Sequence, residues 1–235
     1  TEEQQMVRDS IARFVQDDYD WDTRRAIVDG DEGMSRDNWN TFAELGWLSI
    51  PFSEADGGFG GGAVESMLML ENFGRGLVVE PYLATVVLAG GALKHGGTAE
   101  QKAQYLPGII DGSTQAALAY AEPQGRFNLS DLKTTASKAG DGYQIDGYKA
   151  VVLNGPAADL LVVTARTSGD QRDAEGVSVF LVSADAEGVS RRDYPTVDGL
   201  RASEVTLEGV HVGADALIGE EGKGLGLIEQ VIDEG

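Results

Sequence analysis

Cysteine is absent from the 235 residues of the chain, and histidine occurs only twice. Without cysteine there can be no disulfide framework, zinc–thiolate site, iron–sulfur cluster or cysteine nucleophile, which agrees with a reducing compartment. His95 and His211 are isolated in the sequence, with no partner histidine or carboxylate at ligand spacing. We therefore expect no bound metal.

Positive charge is scarce as well. The chain has 18 Lys and Arg residues against 39 Asp and Glu residues, which gives a net charge of -21 and a pI near 4.3. Such a protein repels the phosphates of nucleic acids and the surfaces of anionic membranes. An anionic ligand would need local positive charge or backbone N–H donors. We therefore expect no nucleic-acid partner and no membrane partner.

Long hydrophobic runs are also missing. The longest apolar stretches, such as residues 160–163 and 82–93, fall well below the roughly 20 residues that a membrane span requires. No secretory signal pattern opens the sequence, although a chain that starts at Thr1 can have lost a short leader. We expect a cytoplasmic protein with room for one large domain or two ordinary ones.

The first half of the chain has the periodicity of α-helices. Thr1 with Gln4, and Thr98 with Gln101, have the spacing of a capping box at a helix start. After the first pair, apolar residues follow at helical spacing, namely Val7, Ile11, Phe14 and Val15. Residues 64–73 are apolar enough for a buried helix. With about four to six helices expected, residues 1–112 are predicted to form an N-terminal helical bundle domain.

After Gly112 the hydrophobic period changes from helix to strand. Short β-rich runs, separated by Gly and Asp turn signals, lie at residues 115–120, 132–137, 143–145, 150–153, 160–165, 177–182 and 205–212. Strands at this spacing predict an antiparallel β-barrel or sandwich domain over residues 113–222. The predicted fold class is therefore α+β, with an all-helical domain followed by a β domain.

Helical spacing returns after Gly222. Leu225, Ile228 and Val231 recur on one face, so residues 223–235 are predicted to begin a further helical domain. Because the rest of that domain is missing, we expect these three side chains to form an exposed apolar face that promotes association.

Several short motifs follow one another in a fixed order along the chain. They are LGWL at 45–48 with GGFG at 57–60, GTAEQK at 97–102, LAYAEPQGRFNLSD at 118–131, IDGYKAVVLNG at 145–155, and GEEGKG at 219–224. In order and spacing, this series resembles the acyl-CoA dehydrogenase family, especially members labelled as the small subunit of pimeloyl-CoA dehydrogenase. The resemblance implies a helical domain, a β domain and a C-terminal four-helix domain, of which the last is missing here.

The activity that this resemblance implies is FAD-dependent α,β-dehydrogenation of an acyl-CoA thioester, a step of fatty acid metabolism. In the family a Glu carboxylate removes the α-proton while hydride leaves the β-carbon for the flavin. That Glu belongs to the C-terminal domain, so no catalytic residue is assigned here, and the chain alone is expected to be inactive. The implied partners are the acyl-CoA substrate, an electron-transfer acceptor protein and the other subunits of a homo- or hetero-oligomer.

Two motifs have simpler structural interpretations. Glu122 is the tempting substitute for the missing base, but at a Glu-Pro corner it is expected to accept hydrogen bonds from nearby backbone N–H groups. The glycine cluster at 57–62 lacks the strand, helix and Lys that flank a nucleotide-binding loop, so we expect a connector between helices.

The same resemblance places FAD beside the strand that ends at Ala121. The expected cofactor-binding residues are Leu118, Tyr120, Ala121, Arg126, Phe127, Val151, Val152 and Leu153. Backbone groups of the strand can contact the flavin ring whatever the side chains are. Arg126 has two open interpretations, as a partner of the pyrophosphate or as a solvated surface residue.

Four of these positions depart from the family pattern. Ala121, Phe127 and Leu153 stand where the family has hydroxyl residues, and Val151 replaces the Trp that stacks on the flavin. If each lost contact weakens binding by about 1 kcal/mol, the flavin site would be weak or empty. Val151 and Leu153 can equally be plain strand positions.

Two functions therefore remain open. The first is an FAD-dependent acyl-CoA dehydrogenase, or the two-domain part of one. The second is a non-catalytic small subunit of a heteromeric acyl-CoA dehydrogenase, whose own flavin site is degenerate.

Overall fold

The computed structural model describes residues 1–235, which form a helical domain followed by a β domain. The helices are α1 (Glu2–Asp17), α2 (Trp21–Asp29), α3 (Arg36–Glu44), α4 (Ala63–Gly76), a π-helix (Tyr82–Ala89), α5 (Gly90–Gly96), α6 (Ala99–Ile110) and α7 (Leu225–Glu234). Both predicted capping boxes are present, at the starts of α1 and α6. No helix has both the length and the apolar character needed to cross a membrane.

The β domain is one open sheet. Its strands are β1 (Ala116–Ala119), β2 (Thr135–Ala139), β3 (Gly142–Leu153), β4 (Leu160–Arg166), β5 (Val177–Ser183), β6 (Val189–Pro195), β7 (Arg201–Gly213) and β8 (Leu217–Ile218). They are ordered β6-β7-β3-β2-β4-β5-β8, with β1 beside β4. Pairing is antiparallel except where β1 and one residue of β2 meet β4. The predicted fold class, a helical domain before an antiparallel β domain, is confirmed.

The strand boundaries differ from the prediction in three places. Residues 143–145 and 150–153 belong to the single strand β3, because Asp146 and Gly147 form a bulge and not a turn. The strands β6 and β8 were not predicted. β6 is an edge strand rich in charged residues, which hides the apolar alternation that marks a strand in sequence.

Both faces of the sheet are buried, which explains the continuous apolar sequence of β4. Alternate side chains of a strand point to opposite faces. Val162 joins the core that the sheet forms with the helices, where Trp39 is also buried. Leu161 and Val163 join a second core on the other face, together with Phe180. The β domain is therefore held against the helical domain through one face of the sheet.

The expectation that α7 exposes an apolar face is wrong. Ile228 and Val231 are 1% and 0% exposed and belong to the core between the helices and the sheet, while Leu225 is half-buried. The helix packs on α5 and the π-helix. Gly96 of α5 lies against α7 more tightly, because a Cβ there would lie 2.5 Å from a methyl group of Leu227. The apolar stripe of α7 is thus covered within its own chain.

Residues 64–73 do form a helix, but only one face of it is buried. Met69 and Phe73 are in the core, whereas Met67 is 55% exposed and Val64 is 49% exposed. The apolar content of this segment therefore predicts more burial than the structure shows.

Replacing Val231 with alanine tests the packing of α7. Two buried methyl groups at ~0.8 kcal/mol each, plus the cavity left behind, should lower the free energy of unfolding by about 2 kcal/mol in urea titrations. Glu229→Ala on the exposed side of the same helix is the control and should change it by less than ~0.5 kcal/mol. Equal effects for the two variants would mean that α7 is not docked in solution.

Candidate functional site

Five of the eight expected cofactor-binding residues line one apolar cleft. Leu118, Tyr120 and Ala121 come from β1 and its continuation, and Val151 and Leu153 come from the end of β3. Two π-helix residues, Ala84 and Leu88, complete the lining. The cleft has a volume of about 120 Å³. Ligand pockets usually enclose roughly 300–1,000 Å³, so this cleft is one wall of a binding site and not a closed pocket.

The other three expected residues lie elsewhere. Val152 is fully buried in the second core of the sheet, on the opposite side of β3 from the cleft. Arg126 and Phe127 lie in the loop that follows Glu122, where both are exposed and Phe127 is 99% exposed. The structure therefore does not bring these three side chains to the cleft.

Val151 has an unusual backbone conformation. Its φ is +52°, a left-handed value that β-branched residues rarely adopt, and it lies in a bulge between Lys149 and Val152. The bulge leaves Val151 at the cleft, 53% exposed, while Val152 is directed into the core. Strain of this kind costs about 1–3 kcal/mol and tends to cluster at functional sites.

The strand continuation beside the cleft has free main-chain donors. The backbone N–H groups of Tyr120, Ala121 and Glu122 donate to no backbone carbonyl of the chain. The carbonyl of Ala121 accepts from the N–H of Ala150 at 2.9 Å, which joins the strand to the bulge of β3. These N–H groups can donate hydrogen bonds to the polar edge of a ring that packs against the apolar wall.

A buried ion pair lies directly behind the cleft. Lys149 Nζ donates to Glu122 Oε1 at 2.7 Å and to Thr164 Oγ1 at 3.0 Å, and its side chain is 0% exposed. Glu122 also accepts from the backbone N–H groups of Lys133 (2.7 Å) and Thr134 (3.1 Å). This agrees with the interpretation that Glu122 satisfies local backbone donors. The ion pair therefore joins Glu122, which follows Ala121, to Lys149, which precedes the bulge of β3.

The electrostatics of the pair argue against a catalytic base at this position. Burial alone would raise the pKa of Glu122, but attraction to Lys149 and hydrogen bonds from Lys149 and Thr134 hold that pKa well below its usual range. Burial lowers the pKa of Lys149, and the charge of Glu122 offsets part of that effect. A carboxylate with a strongly lowered pKa, already saturated with donors, is a poor proton acceptor near neutral pH.

A second cavity, of about 300 Å³, lies where the helical domain meets the β domain. This domain-junction cavity shares Ala84 and Leu153 with the cleft. Beside it, the amide of Asn154 donates to Thr85 Oγ1 at 3.2 Å and to Gln115 Oε1 at 3.0 Å, which connects the two domains. No motif in the sequence predicts this cavity, because its lining comes from segments that lie far apart in the chain.

The cleft fits the flavin expected from the sequence in its main-chain donors and apolar walls. It does not supply the side chains that the resemblance implies, because none of the residues in its lining is Ser, Thr or Trp. The contacts that the cleft offers to FAD are therefore those of the backbone at 120–122, of aliphatic side chains and of Tyr120.

Comparisons with known proteins identify the two domains. Residues 1–113 match the model for the N-terminal domain of acyl-CoA dehydrogenases, and residues 117–210 match the model for their middle domain. A probable acyl-CoA dehydrogenase of Bacillus subtilis, YngJ, is 30% identical over 240 residues, which covers 100% of this chain and 63% of that protein. The chain thus spans less than two thirds of the length of such curated relatives.

Solved structures agree with this assignment. The ChsE4–ChsE5 complex of Mycobacterium tuberculosis matches with a TM-score of 0.87 and 26% identity, over 98% of this chain and 59% of that chain. A structure described as the FAD complex of PigA also matches with a TM-score of 0.87 and 26% identity, over 99% of this chain and 62% of that chain. The chain belongs to the acyl-CoA dehydrogenase family and carries its N-terminal and middle domains.

Proposed function

We propose that this chain is the two-domain part of an FAD-dependent acyl-CoA dehydrogenase, which converts an acyl-CoA thioester to its α,β-unsaturated product. The observation that carries the proposal is the apolar cleft with free backbone N–H groups at Tyr120 and Ala121. The similar PigA structure, described as an FAD complex, supports the choice of cofactor. When bound, FAD supplies the capacity to accept hydride.

In this proposal the chain contributes binding and not proton transfer. Leu118, Val151 and Leu153 would hold the ring and exclude water, and the N–H groups of the strand continuation would hold its polar edge. Arg126 and Phe127 lie outside the cleft, so their contacts with FAD would be with parts of the cofactor beyond the ring. No catalytic residue is assigned, because Glu122 is engaged with Lys149 and backbone donors. The chain alone is therefore inactive.

The remaining features of the proposal follow the family. The domains are residues 1–112, 113–222 and 223–235, and the setting is cytoplasmic fatty acid metabolism. The partners are the acyl-CoA substrate, an electron-transfer acceptor protein and further subunits. The ChsE4–ChsE5 structure, a complex of two differently named chains, is an example of a heteromeric relative.

A second candidate function is a non-catalytic small subunit with a degenerate flavin site. The observation that favours it is the small volume and wholly apolar lining of the cleft, with valine at the strained position of the β3 bulge. Such a chain would hold one edge of a cofactor that a partner subunit binds.

Flavin binding by the purified chain distinguishes the two functions. The chain should purify colourless and bind FAD weakly, and the double variant Val151→Trp with Leu153→Thr should increase its affinity, as measured from the visible absorbance of oxidised flavin. An indole and a hydroxyl at these two positions add one stacking and one polar contact, each worth about 1 kcal/mol, so together they should lower the dissociation constant about thirtyfold.

The control for this experiment is Val151→Gly, which removes the backbone strain without adding a ring. Equal gains for the glycine and tryptophan variants would show that strain and not stacking limits binding. A stoichiometrically yellow wild-type chain would favour the first function and contradict the degenerate site.

A further inference from the structure

The apolar cleft contains a single aromatic side chain, that of Tyr120. The other residues of its lining are all aliphatic, namely Ala84, Leu88, Leu118, Ala121, Val151 and Leu153. Position 151, where the resemblance implies the ring that stacks on the flavin, is valine in this chain. Any aromatic contact that the cleft offers to a flat ring must therefore come from Tyr120.

The geometry of the strand places the Tyr120 ring at the boundary between core and cleft. Leu118 and Tyr120 are two residues apart in an extended segment, so their side chains point to the same face. Leu118 is buried in the core between the helices and the sheet. Tyr120 packs against that core and stays half-buried. One part of the ring is thus held by the protein, and the rest can contact a ligand.

Backbone contacts fix the segment that carries this ring. β1 pairs with β4 as far as Ala119, and the carbonyl of Ala121 accepts from the N–H of Ala150 at 2.9 Å. Between these two points, the carbonyl of Tyr120 accepts from Thr164 Oγ1 at 3.5 Å. A ligand that packs on Tyr120 therefore meets a backbone that is already ordered, which lowers the entropic cost of binding.

The side chain of Tyr120 makes none of the polar contacts that hold the buried tyrosines. The hydroxyls of Tyr19, Tyr82 and Tyr143 each donate to a neighbouring side chain. At Tyr120 the hydrogen bond from Thr164 goes to the carbonyl, and the phenol has no partner within the chain. Its ring also packs on no other aromatic ring, unlike Tyr82 on Phe73. Both the ring and the hydroxyl are available to a ligand.

We propose that Tyr120 supplies, from the β1 side of the cleft, the aromatic contact with the flavin ring that Val151 does not make. The proposal rests on the proposed function for the identity of the ring. An electron-rich phenol and the electron-poor ring of an oxidised flavin pack favourably face to face or edge to face. Tyr120 thus compensates in part for the aliphatic residue at the β3 bulge.

The first test measures affinity for lumiflavin, which carries the flavin ring without the phosphates and adenine of FAD. It is titrated into the full chain and into the variants Tyr120→Phe and Tyr120→Leu. Phenylalanine keeps the ring, so its dissociation constant should stay within about twofold of that of the wild type. Leucine removes the aromatic contact and should weaken binding about fivefold, which corresponds to ~1 kcal/mol.

The second readout is the fluorescence of the bound lumiflavin. An excited flavin ring takes an electron from a phenol in contact with it, and the electron then returns, so the emission is quenched. The wild-type chain should therefore quench bound lumiflavin. Tyr120→Phe should bind the ring and leave it fluorescent, because a phenyl ring is much harder to oxidise than a phenol. A merely structural role of Tyr120 would not produce this difference.

The matched control is Tyr105→Leu in α6. Tyr105 is half-buried and packs against the same core as Tyr120, but it does not line the cleft. Its replacement should change neither the affinity for lumiflavin nor the quenching. Urea titrations of both leucine variants verify that each remains folded under the conditions of the binding experiment.

The possible outcomes separate this inference from the proposed function. If lumiflavin binds to the wild type and Tyr120→Leu binds it equally well, or if Tyr120→Phe quenches as strongly as the wild type, only the role of Tyr120 is contradicted. Tighter binding by Tyr120→Leu would mean that the ring obstructs the cleft, which also overturns the proposal and favours a degenerate site. If neither the wild type nor Tyr120→Phe binds lumiflavin, the cofactor site and the role of Tyr120 are contradicted together.

Discussion

Replacing Lys149 with methionine is expected to lower the free energy of unfolding by about 3–5 kcal/mol, because the carboxylate of Glu122 would remain buried without its cation. Methionine matches the length of the lysine stem, so packing changes little. The loss should appear as a lower midpoint in urea denaturation with an unchanged slope. Since the pair holds the cleft segments together, flavin affinity should fall as well.

The matched control is Lys138→Met. Lys138 pairs with Glu221 at the same distance of 2.7 Å, but the two side chains are 68% and 40% exposed. An exposed pair contributes up to about 1 kcal/mol, so this control should cost far less. Adding Glu122→Gln to Lys149→Met should restore part of the stability, since it removes the unpaired charge. A loss no greater than that of the control would contradict a buried, ionised pair.

The pH dependence of stability offers a second view of the same pair. The pKa of Glu122 is lowered in the folded state from an ordinary value of 4.5, so its contribution is fully present above that value. It is lost as pH falls through the lower folded pKa. Glu122→Gln should therefore flatten the decline in stability on the acid side, below about pH 4.5.

Arg166→Met is the second change with a large expected effect, on the order of 3–5 kcal/mol. The buried Arg166 guanidinium donates to five main-chain carbonyls, those of Ser130, Ser168, Gln171, Asp173 and Glu175, at 2.8 to 3.2 Å. Methionine would leave the carbonyls of Ser168, Asp173 and Glu175 without a donor, whereas those of Ser130 and Gln171 still accept from the N–H of Leu132. Ser130 lies in the loop that carries Arg126 and Phe127, so limited proteolysis should also become faster within residues 124–130 and 168–175.

The control for Arg166 is Arg192→Met on the edge strand β6. Arg192 is 75% exposed and pairs with Glu204, so its replacement should change stability by less than about 1 kcal/mol. If Arg166→Met unfolded no more easily than this control, water would have to satisfy the carbonyls that lose their donor, and the loops would not depend on Arg166.

Local sequence signals predicted the helix starts and strands that depend on interactions between residues close together in the chain. The capping boxes at Thr1 and Thr98 mark real helix starts, because the side chain and the backbone N–H that it binds are three residues apart. The β-rich runs located most strands, since alternation of buried side chains is a property of neighbouring residues. Strand β6 was not predicted, because its residues show no apolar alternation. Its place at the edge of the sheet is set by its pairing with β7 and not by its own sequence.

The role of the expected residues in cofactor binding stays a prediction, but the structure shows which of them lie together. Leu118, Ala121, Val151 and Leu153 do meet in one cleft, as expected from the resemblance. The bulge that gives Val151 a left-handed conformation and sends Val152 to the other face has no sequence signal, because valine is an unfavourable residue for that conformation. The burial of α7 likewise depends on its packing against α5 and the π-helix, which lie far from it in the chain.

The amino-acid sequence by itself determined the helical and β halves of this protein, its acidic charge, the absence of thiol chemistry and its family resemblance. These follow from composition, periodicity and motif order, which need no knowledge of contacts. Only the tertiary structure decided that Glu122 pairs with Lys149 and that Glu80, Arg24 and Arg201 surround one cavity. These contacts join residues that are not neighbours in the chain: the ion pair forms when the β domain folds, and the cavity forms when the two domains pack together.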